Sequence, residues 1–163
     1  AKALGAGSII AVDRVPERLN LAKELGATHA LIADGTVDIV SEIKSITKGG
    51  ANCSLDTTAV SAVLRQALDC LGPLGRCGFV GGAPVGSTLD VDVRDVMLNG
   101  KTLRGIVEGD SDAVRFIPTL LDLHRRGLFP FEKLIKTYPF ESIQQAIDDA
   151  KSGVTVKPVL LMP

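Results

Sequence analysis

The sequence lacks the residue patterns that would build a metal site. Its three cysteines, Cys53, Cys70 and Cys77, are odd in number and form no Cys-x-x-Cys pair, and its two histidines, His29 and His124, stand far apart. A structural zinc site needs about four converging ligands, so we expect this chain to bind no zinc. We expect the cysteines to be buried, reduced thiols of a cytoplasmic protein.

Charge and hydropathy exclude two further classes of protein. A net charge of −1 gives no electrostatic basis for binding nucleic acid or an anionic membrane. No apolar run approaches the roughly 20 residues that cross a bilayer, and no charged-then-apolar signal segment is present. The hydrophobic fraction of 45% over 163 residues is sufficient for a real core. We therefore expect a globular protein with neither a nucleic-acid nor a membrane partner.

The first two thirds of the sequence alternate strand-like and helix-like segments. The predicted strands are Ser8–Val12, His29–Ile32, Ala51–Leu55, Arg76–Val80 and Thr102–Ile106. The predicted helices are Pro16–Leu25, Val37–Thr47, Ser61–Leu71 and the helical part of Val91–Leu98. This alternation predicts an α/β fold, a Rossmann-type doubly wound parallel sheet with right-handed crossovers.

The pattern changes after about residue 108. A longer helical stretch, Asp110–Arg126, contains Pro118 and must begin late or kink there. Three more elements follow: an extended Lys136–Phe140, a helix Glu141–Lys151 and a strand Val156–Met162. We predict a dinucleotide-binding domain over residues 1–108 and the C-terminal tail of a catalytic domain over residues 109–163.

The end of the first strand carries the most informative side chain. Asp13 follows a β-branched run and directly precedes a helix, where a dinucleotide-binding fold presents a carboxylate to the adenosine ribose. Ribose hydroxyls donate to such a carboxylate and a 2′-phosphate is repelled by it, which favours NAD over NADP. Arg18 would lie along the same edge. Arg14 either stacks over the adenine or is a solvated surface residue, and Asp13 alternatively is only the N-cap of the helix.

The glycine turn that binds the dinucleotide phosphates is missing. A strand and a Gly-x-Gly-x-x-Gly turn should stand about 20 residues before the acidic residue, and only 12 residues precede Asp13. Gly5-Ala6-Gly7 precedes a strand instead of following one, so we interpret it as a helix-to-strand joint. We therefore expect a fragment whose sheet lacks its first, central strand. Because that strand would lie between Ser8–Val12 and Ala51–Leu55, we expect the sheet to be disturbed near Ser8–Val12.

Two other stretches follow predicted strands, at the sheet edge where parallel sheets bind ligands. Thr57 and Thr58 offer hydroxyls to the adenosine side of a cofactor, whereas Asp56 is expected to hold neighbouring loops. Gly78–Pro84 is rich in glycine, which would let the backbone approach a flat cofactor ring closely. The alternative interpretation is a flexible turn. No catalytic or metal-binding motif joins a nucleophile or a metal ligand to Glu108, Asp110 or His124. We therefore assign no catalytic residue.

The order of these segments resembles the C-terminal, NAD-binding part of the zinc-dependent medium-chain alcohol dehydrogenases, over essentially the whole chain. The stretches that carry the resemblance are Ala3–Ala6, Ile10–Asp13, Ala22–Thr28, Gly81–Pro84, Asn99–Gly105 and Ser152–Leu160. Within that family, Ile106–Ser111 and Gly127–Leu134 resemble aryl- or benzyl-alcohol dehydrogenases.

The resemblance implies a set of cofactor-binding residues. It implies Asp13 and Arg18 at the adenosine ribose, Thr57 and Thr58 beside the adenosine portion, Val80, Gly81 and Gly82 along the nicotinamide, the backbone of Ile106 and Val107 at the carboxamide, and Lys157 near the pyrophosphate. It also implies that zinc belongs to the full-length parent only, where it polarises the alcohol oxygen during hydride transfer to NAD.

The same resemblance implies the parent's activity and assembly. We expect it to oxidise a small primary, aromatic alcohol to the aldehyde, and this chain alone to be inactive. The alternatives are a zinc-free quinone reductase-like enzyme and a non-catalytic, NAD-sensing or structural relative. We expect a homodimer or dimer-based tetramer formed through Thr102–Ile106, which would cover the open edge of the sheet.

Overall fold

The computed structural model describes residues 1–163 and contains three parallel sheets. The strands are β1 (Ile10–Asp13), β2 (His29–Ile32), β3 (Ala51–Asp56), β4 (Leu71–Phe79), β5 (Thr102–Gly105), β6 (Ile135–Pro139) and β7 (Lys157–Leu161). The helices are α1 (Pro16–Glu24), α2 (Ile39–Thr47), α3 (Ser61–Asp69), α4 (Val93–Asn99), α5 (Ala113–Arg125) and α6 (Ile143–Ser152). Short 3₁₀ turns lie at Lys2–Leu4, Glu108–Asp110, Phe131–Leu134 and Phe140–Ser142.

The sheets have the orders β1-β2, β3-β4-β5 and β6-β7, and every pair is parallel. The predicted α/β class with parallel strands is therefore confirmed. β1 and β3 belong to different sheets, and the absence of a first, central strand stays a prediction.

The chain divides into two compact units. The first comprises Ala1–Asp34 and Ala113–Pro163, and the second comprises Gly35–Asp112. The first unit contains the β1-β2 and β6-β7 sheets, and the second contains the β3-β4-β5 sheet. The domain boundary after residue 108 stays a prediction.

Helix starts follow their capping residues. Asp38 is the N-cap of α2, and its carboxylate accepts hydrogen bonds from the N–H groups of Val40 and Ser41. This cap explains why α2 begins at Ile39 and not at the predicted Val37. α1 begins at Pro16 as predicted, since proline needs no donor partner in the first turn.

β4 begins earlier than predicted, at Leu71 and not at Arg76. Ala51 pairs with Leu71 and Cys53 pairs with Arg76, so β3 and β4 are paired at both positions and their register shifts between them. Leu74 adopts a φ of 58° within this irregular stretch. Because the chain bulges while staying paired, Gly72 and Pro73 lie inside the strand.

The core of the second unit is formed by Leu68, Leu71 and Cys77. Burial raises the pKa of the Cys77 thiol, and the pKa of the Cys70 thiol is raised for the same reason. The expectation that all three cysteines are buried is wrong for Cys53, which is exposed, because it lies on the edge strand β3.

α5 begins at Ala113, later than the predicted Asp110, and keeps Pro118 inside it. Asp110 lies instead in the preceding 3₁₀ turn, where Gly109 has a non-helical φ of 73°. None of the helices combines the length and apolarity that crossing a bilayer requires.

Candidate cofactor-binding site

Asp13 is the last residue of β1, and its two carboxylate oxygens have different surroundings. Oδ1 accepts a 2.9 Å hydrogen bond from the Val15 N–H, which closes the turn into α1. Oδ2 lies 3.9 Å from Nη1 of Arg18, too far for a hydrogen bond. Val15 occupies the N-cap position of α1, so Asp13 is not the N-cap. Its Oδ2 keeps lone pairs that can accept ligand hydroxyls.

Arg18 carries a donor that has no partner within the protein. Its Nε atom is buried and makes no hydrogen bond. A buried N–H without an acceptor is costly, and such groups are commonly satisfied by a bound molecule or water. An acceptor brought by a ligand at the Asp13 edge would satisfy it. The free carboxylate oxygen and the orphaned donor together fit a ribose, which can both donate and accept hydrogen bonds.

The turn after β3 is held together by Asp56. This side chain is only 4% exposed, and its Oδ1 accepts hydrogen bonds from both the N–H and the hydroxyl of Thr58. The Thr58 Oγ1 in turn accepts from the Val60 N–H at 3.1 Å. The structural role expected for Asp56 is therefore observed. The Thr58 hydroxyl proton is already engaged, which leaves only acceptor capacity on that side chain, whereas Thr57 is exposed.

The turns after β3 and β4 are packed directly on each other. The Val80 N–H donates to the Asp56 carbonyl at 3.0 Å. A Cβ added to Gly81 would lie 2.4 Å from the Ala59 nitrogen, whereas one added to Gly82 would meet nothing within 4 Å. Ala59 itself has a φ of 61°, in the region that favours glycine. Glycine is thus required at position 81 for packing, and position 82 is open.

A cavity of about 180 Å³ lies beside these two turns. Its wall includes the buried Asp56, the apolar side chains of Leu64, Phe79 and Leu103, and Gly81. Of the predicted cofactor-binding residues, this wall contains Gly81.

The segment after β5 continues the sheet and then turns. The Ile106 N–H donates to the Phe79 carbonyl at 2.9 Å, so Ile106 extends the ladder with β4. Val107 is 77% exposed, and its carbonyl accepts from the Asp110 N–H at 2.8 Å. One backbone acceptor in this predicted carboxamide site is therefore used within the turn.

The structure places the predicted residues in both units. The first unit holds Asp13, Arg14, Arg18 and Lys157, and the second holds Thr57, Thr58, Val80, Gly81, Gly82, Ile106 and Val107. Lys157 is the exposed first residue of β7, opposite Ile135. Sequence reasoning missed that Ala59 packs on Gly81 and that Gly153 lies beside Arg18. A glycine after a strand or helix was the only available signal, and it does not identify the contacting residue.

Histidine, cysteine, aspartate and glutamate side chains form no group of three or more that could hold a metal ion.

Comparison with known proteins identifies the family. Residues 1–123 match the family described as zinc-binding dehydrogenase. Geraniol dehydrogenase from Castellaniella defragrans is 44% identical over an alignment of 165 positions, which covers 99% of this chain and 43% of that protein. The chain therefore belongs to the zinc-binding dehydrogenase family, as its resemblance to the zinc-dependent alcohol dehydrogenases predicted.

Solved structures agree with this assignment. Benzyl alcohol dehydrogenase from Acinetobacter calcoaceticus matches with 46% identity and a TM-score of 0.97, over 100% of this chain and 45% of that one. An alcohol dehydrogenase zinc-binding domain protein from Burkholderia ambifaria matches with 50% identity and a TM-score of 0.96, over 100% of this chain and 44% of that one. The chain thus spans less than half the length of the relatives it matches.

Proposed function

We propose that this chain is the NAD-binding portion of an enzyme that transfers a hydride from a primary alcohol to NAD. The observation that carries the proposal is the edge formed by Asp13 and Arg18, with one free carboxylate oxygen and one orphaned donor. Membership of the zinc-binding dehydrogenase family supports the reaction class. NAD, when bound, accepts the hydride on its nicotinamide ring.

The residues of this chain bind and orient the cofactor. Asp13 accepts the ribose hydroxyls and disfavours a 2′-phosphate, while Arg18 donates to the same sugar. Lys157 provides a positive charge for the pyrophosphate, although as a point charge it lacks the bidentate geometry of arginine. Arg14 stays a candidate for stacking over the adenine.

The remaining predicted residues belong to the second unit. Thr57 and the acceptor lone pair of Thr58 serve the adenosine side. Val80, Gly81 and Gly82 line the nicotinamide, and the backbone of Ile106 and Val107 binds the carboxamide.

The substrate we propose is a primary alcohol attached to an aromatic ring. The relative named for benzyl alcohol supports an aromatic ring. The relative named for geraniol supports only the wider class of primary alcohols whose reacting carbon lies beside unsaturated carbon. Zinc is assigned to the full-length parent, where it would polarise the alcohol oxygen. The chain alone is expected to be inactive, because it contains neither a Gly-x-Gly-x-x-Gly turn nor a metal-binding cluster.

The assembly we propose is a cytoplasmic homodimer or dimer-based tetramer formed through Thr102–Ile106. β5 is an edge strand, and all of its residues are exposed in the single chain. An edge strand presents unpaired backbone groups that a second copy can pair with.

The test uses the full-length protein that contains this chain. Zinc content and alcohol-dependent NADH formation are measured with benzyl alcohol, geraniol and a simple aliphatic alcohol. We expect bound zinc and the highest kcat/KM with benzyl alcohol. A higher kcat/KM with geraniol than with benzyl alcohol would reject the aromatic substrate and leave the alcohol dehydrogenase proposal standing. Quinone reduction without zinc, or NAD binding without turnover, would reject the alcohol dehydrogenase proposal in favour of a quinone reductase or a sensor.

A further inference from the structure

A hydrogen-bond network in the first unit has no part in the site described above. The Tyr138 hydroxyl donates to Oδ2 of Asp149 at 2.7 Å and lies 2.6 Å from Oγ1 of Thr155. A phenol has one proton and a carboxylate only accepts, so Thr155 donates to Tyr138. The network therefore runs in one direction, from Thr155 through Tyr138 to Asp149.

Thr155 depends on this network more than Asp149 does. Tyr138 and Thr155 are only 5% and 3% exposed. Asp149 also accepts hydrogen bonds from Lys136 at 2.9 Å and from Gln145 at 2.6 Å. Without the Tyr138 hydroxyl, Asp149 would keep these two partners, whereas the buried Thr155 hydroxyl would lose its acceptor. A buried hydroxyl without a hydrogen-bond acceptor destabilises the segment that carries it.

Thr155 lies in the turn that joins α6 to β7, residues 153–156. α6 ends at its C-cap Gly153, which has a φ of 83°, and β7 begins at Lys157. The Thr155 N–H donates to the Asp149 carbonyl at 3.1 Å. Backbone and side chain of Thr155 thus fix the same turn to α6 and β6.

This turn lies beside Arg18. A Cβ added to Gly153 would lie 3.5 Å from Nη2 of Arg18 and 3.5 Å from Cγ2 of Val15, so a methyl group at this position would be in van der Waals contact with both side chains. The turn also leads directly into Lys157. One turn therefore lies beside one residue of the proposed NAD site, Arg18, and immediately precedes another, Lys157.

We propose that Tyr138 and Thr155 are positioning residues for cofactor binding. Their hydroxyls hold turn 153–156 in place, and the turn fixes the guanidinium of Arg18 and the start of the strand that carries Lys157. Neither hydroxyl needs to touch the cofactor. The inference rests on the proposed NAD site.

The experiment compares Tyr138→Phe and Thr155→Val with the wild type, in the full-length protein that contains this chain. Two quantities are measured: the NAD dissociation constant by calorimetry, and hydrogen–deuterium exchange of residues 153–157 without cofactor. We expect the dissociation constant to rise about three- to tenfold, as loss of one hydrogen bond suggests, together with faster exchange. The KM for the alcohol should not change.

Two controls separate positioning from general stability. Lys136→Met removes a partner of the same carboxylate from a side chain that is 53% exposed, and it should change the NAD dissociation constant less than about twofold. Thr155→Ser keeps the hydroxyl and should restore wild-type binding relative to Thr155→Val. If Tyr138→Phe fails to fold, this threonine pair still decides the question.

The outcomes distinguish the inference from the proposed function. Unchanged NAD affinity in both hydroxyl-deletion variants, with or without a lower unfolding temperature, would overturn the positioning role and leave the NAD site standing. A wild-type protein that binds no NAD would overturn both.

Discussion

Asp13, Arg18 and Asp149 show how single side chains divide their hydrogen-bonding capacity. Asp13 uses one oxygen for the turn into α1, and Arg18 keeps an unsatisfied buried donor. Asp149 is the opposite case, because its oxygens are shared among Tyr138, Lys136 and Gln145. We assign the side chains with unused hydrogen-bonding capacity, Asp13 and Arg18, to ligand binding. The carboxylate of Asp149, which has three hydrogen-bond partners, is assigned a structural role.

The saturated carboxylate predicts a pH effect on stability. The hydrogen bond from Tyr138, with those from Lys136 and Gln145, lowers the pKa of Asp149 from 3.8 to about 2. A lowered folded-state pKa stabilises the protein above the unfolded value, and this stabilisation is lost as the pH falls from about 4 towards 2. We expect Asp149→Asn to be less stable than wild type at pH 6 and to lose less stability on acidification. The unfolding temperature measured from pH 6 to pH 3 checks this.

Asp148→Asn is the matched control, since Asp148 accepts from Gln144 on the exposed surface. It should follow the wild-type pH dependence. Parallel curves for wild type and Asp149→Asn would contradict the assignment.

The elements differ in how far sequence patterns determine them. Asp38 before an apolar repeat and Pro16 at a helix start are local signals, and α1 and α2 formed within two residues of prediction. β4 depended on pairing with Ala51 across the sheet, which no local pattern reports. The Tyr138–Thr155 contact likewise depends on the register of β6 with β7. The carboxyl ends of the strands were therefore predictable, whereas the side-chain contacts that support them were not.

The contact between the turns after β3 and β4 predicts unequal effects at adjacent glycines. Gly81→Ala places a Cβ 2.4 Å from the Ala59 nitrogen, so one turn must move, and we expect a loss of about 1–3 kcal/mol in the free energy of unfolding. Gly82→Ala enters open space and should stay within about 0.5 kcal/mol of wild type. Urea denaturation of the full-length variants measures both. Equal effects would show that the two turns do not pack as described.

The exposed edge of β5 predicts how the dimer can be weakened. The Ile106 N–H points to β4, so along this strand the Leu103 N–H points away from β4, towards a partner strand. Leu103→Pro removes that donor without removing a bond to β4, and we expect a larger monomer fraction in sedimentation velocity. Leu103→Ala keeps the donor and serves as the control. A proline variant that remains as dimeric as the alanine variant would reject pairing through this strand.

At the scale of the whole molecule, the chain joins two compact units that both carry proposed cofactor ligands. It spans less than half the length of its relatives, for instance 43% of geraniol dehydrogenase from Castellaniella defragrans. The family was recognisable because several short stretches occur in the right order. Substrate choice was not readable in the same way, since no residue of this chain is assigned to the alcohol.

In the proposed function, Asp13 selects NAD over NADP in the full-length protein. The ratio of kcat/KM for NAD to kcat/KM for NADP measures this selection. We expect wild type to favour NAD by about 100-fold or more, since a repulsive charge and two hydrogen bonds act together. Asp13→Ala should reduce this ratio at least about tenfold, mainly through a higher KM for NAD. Equal kcat/KM values for NAD and NADP in the wild type, or an unchanged ratio in Asp13→Ala, would contradict the role of Asp13 in selecting NAD.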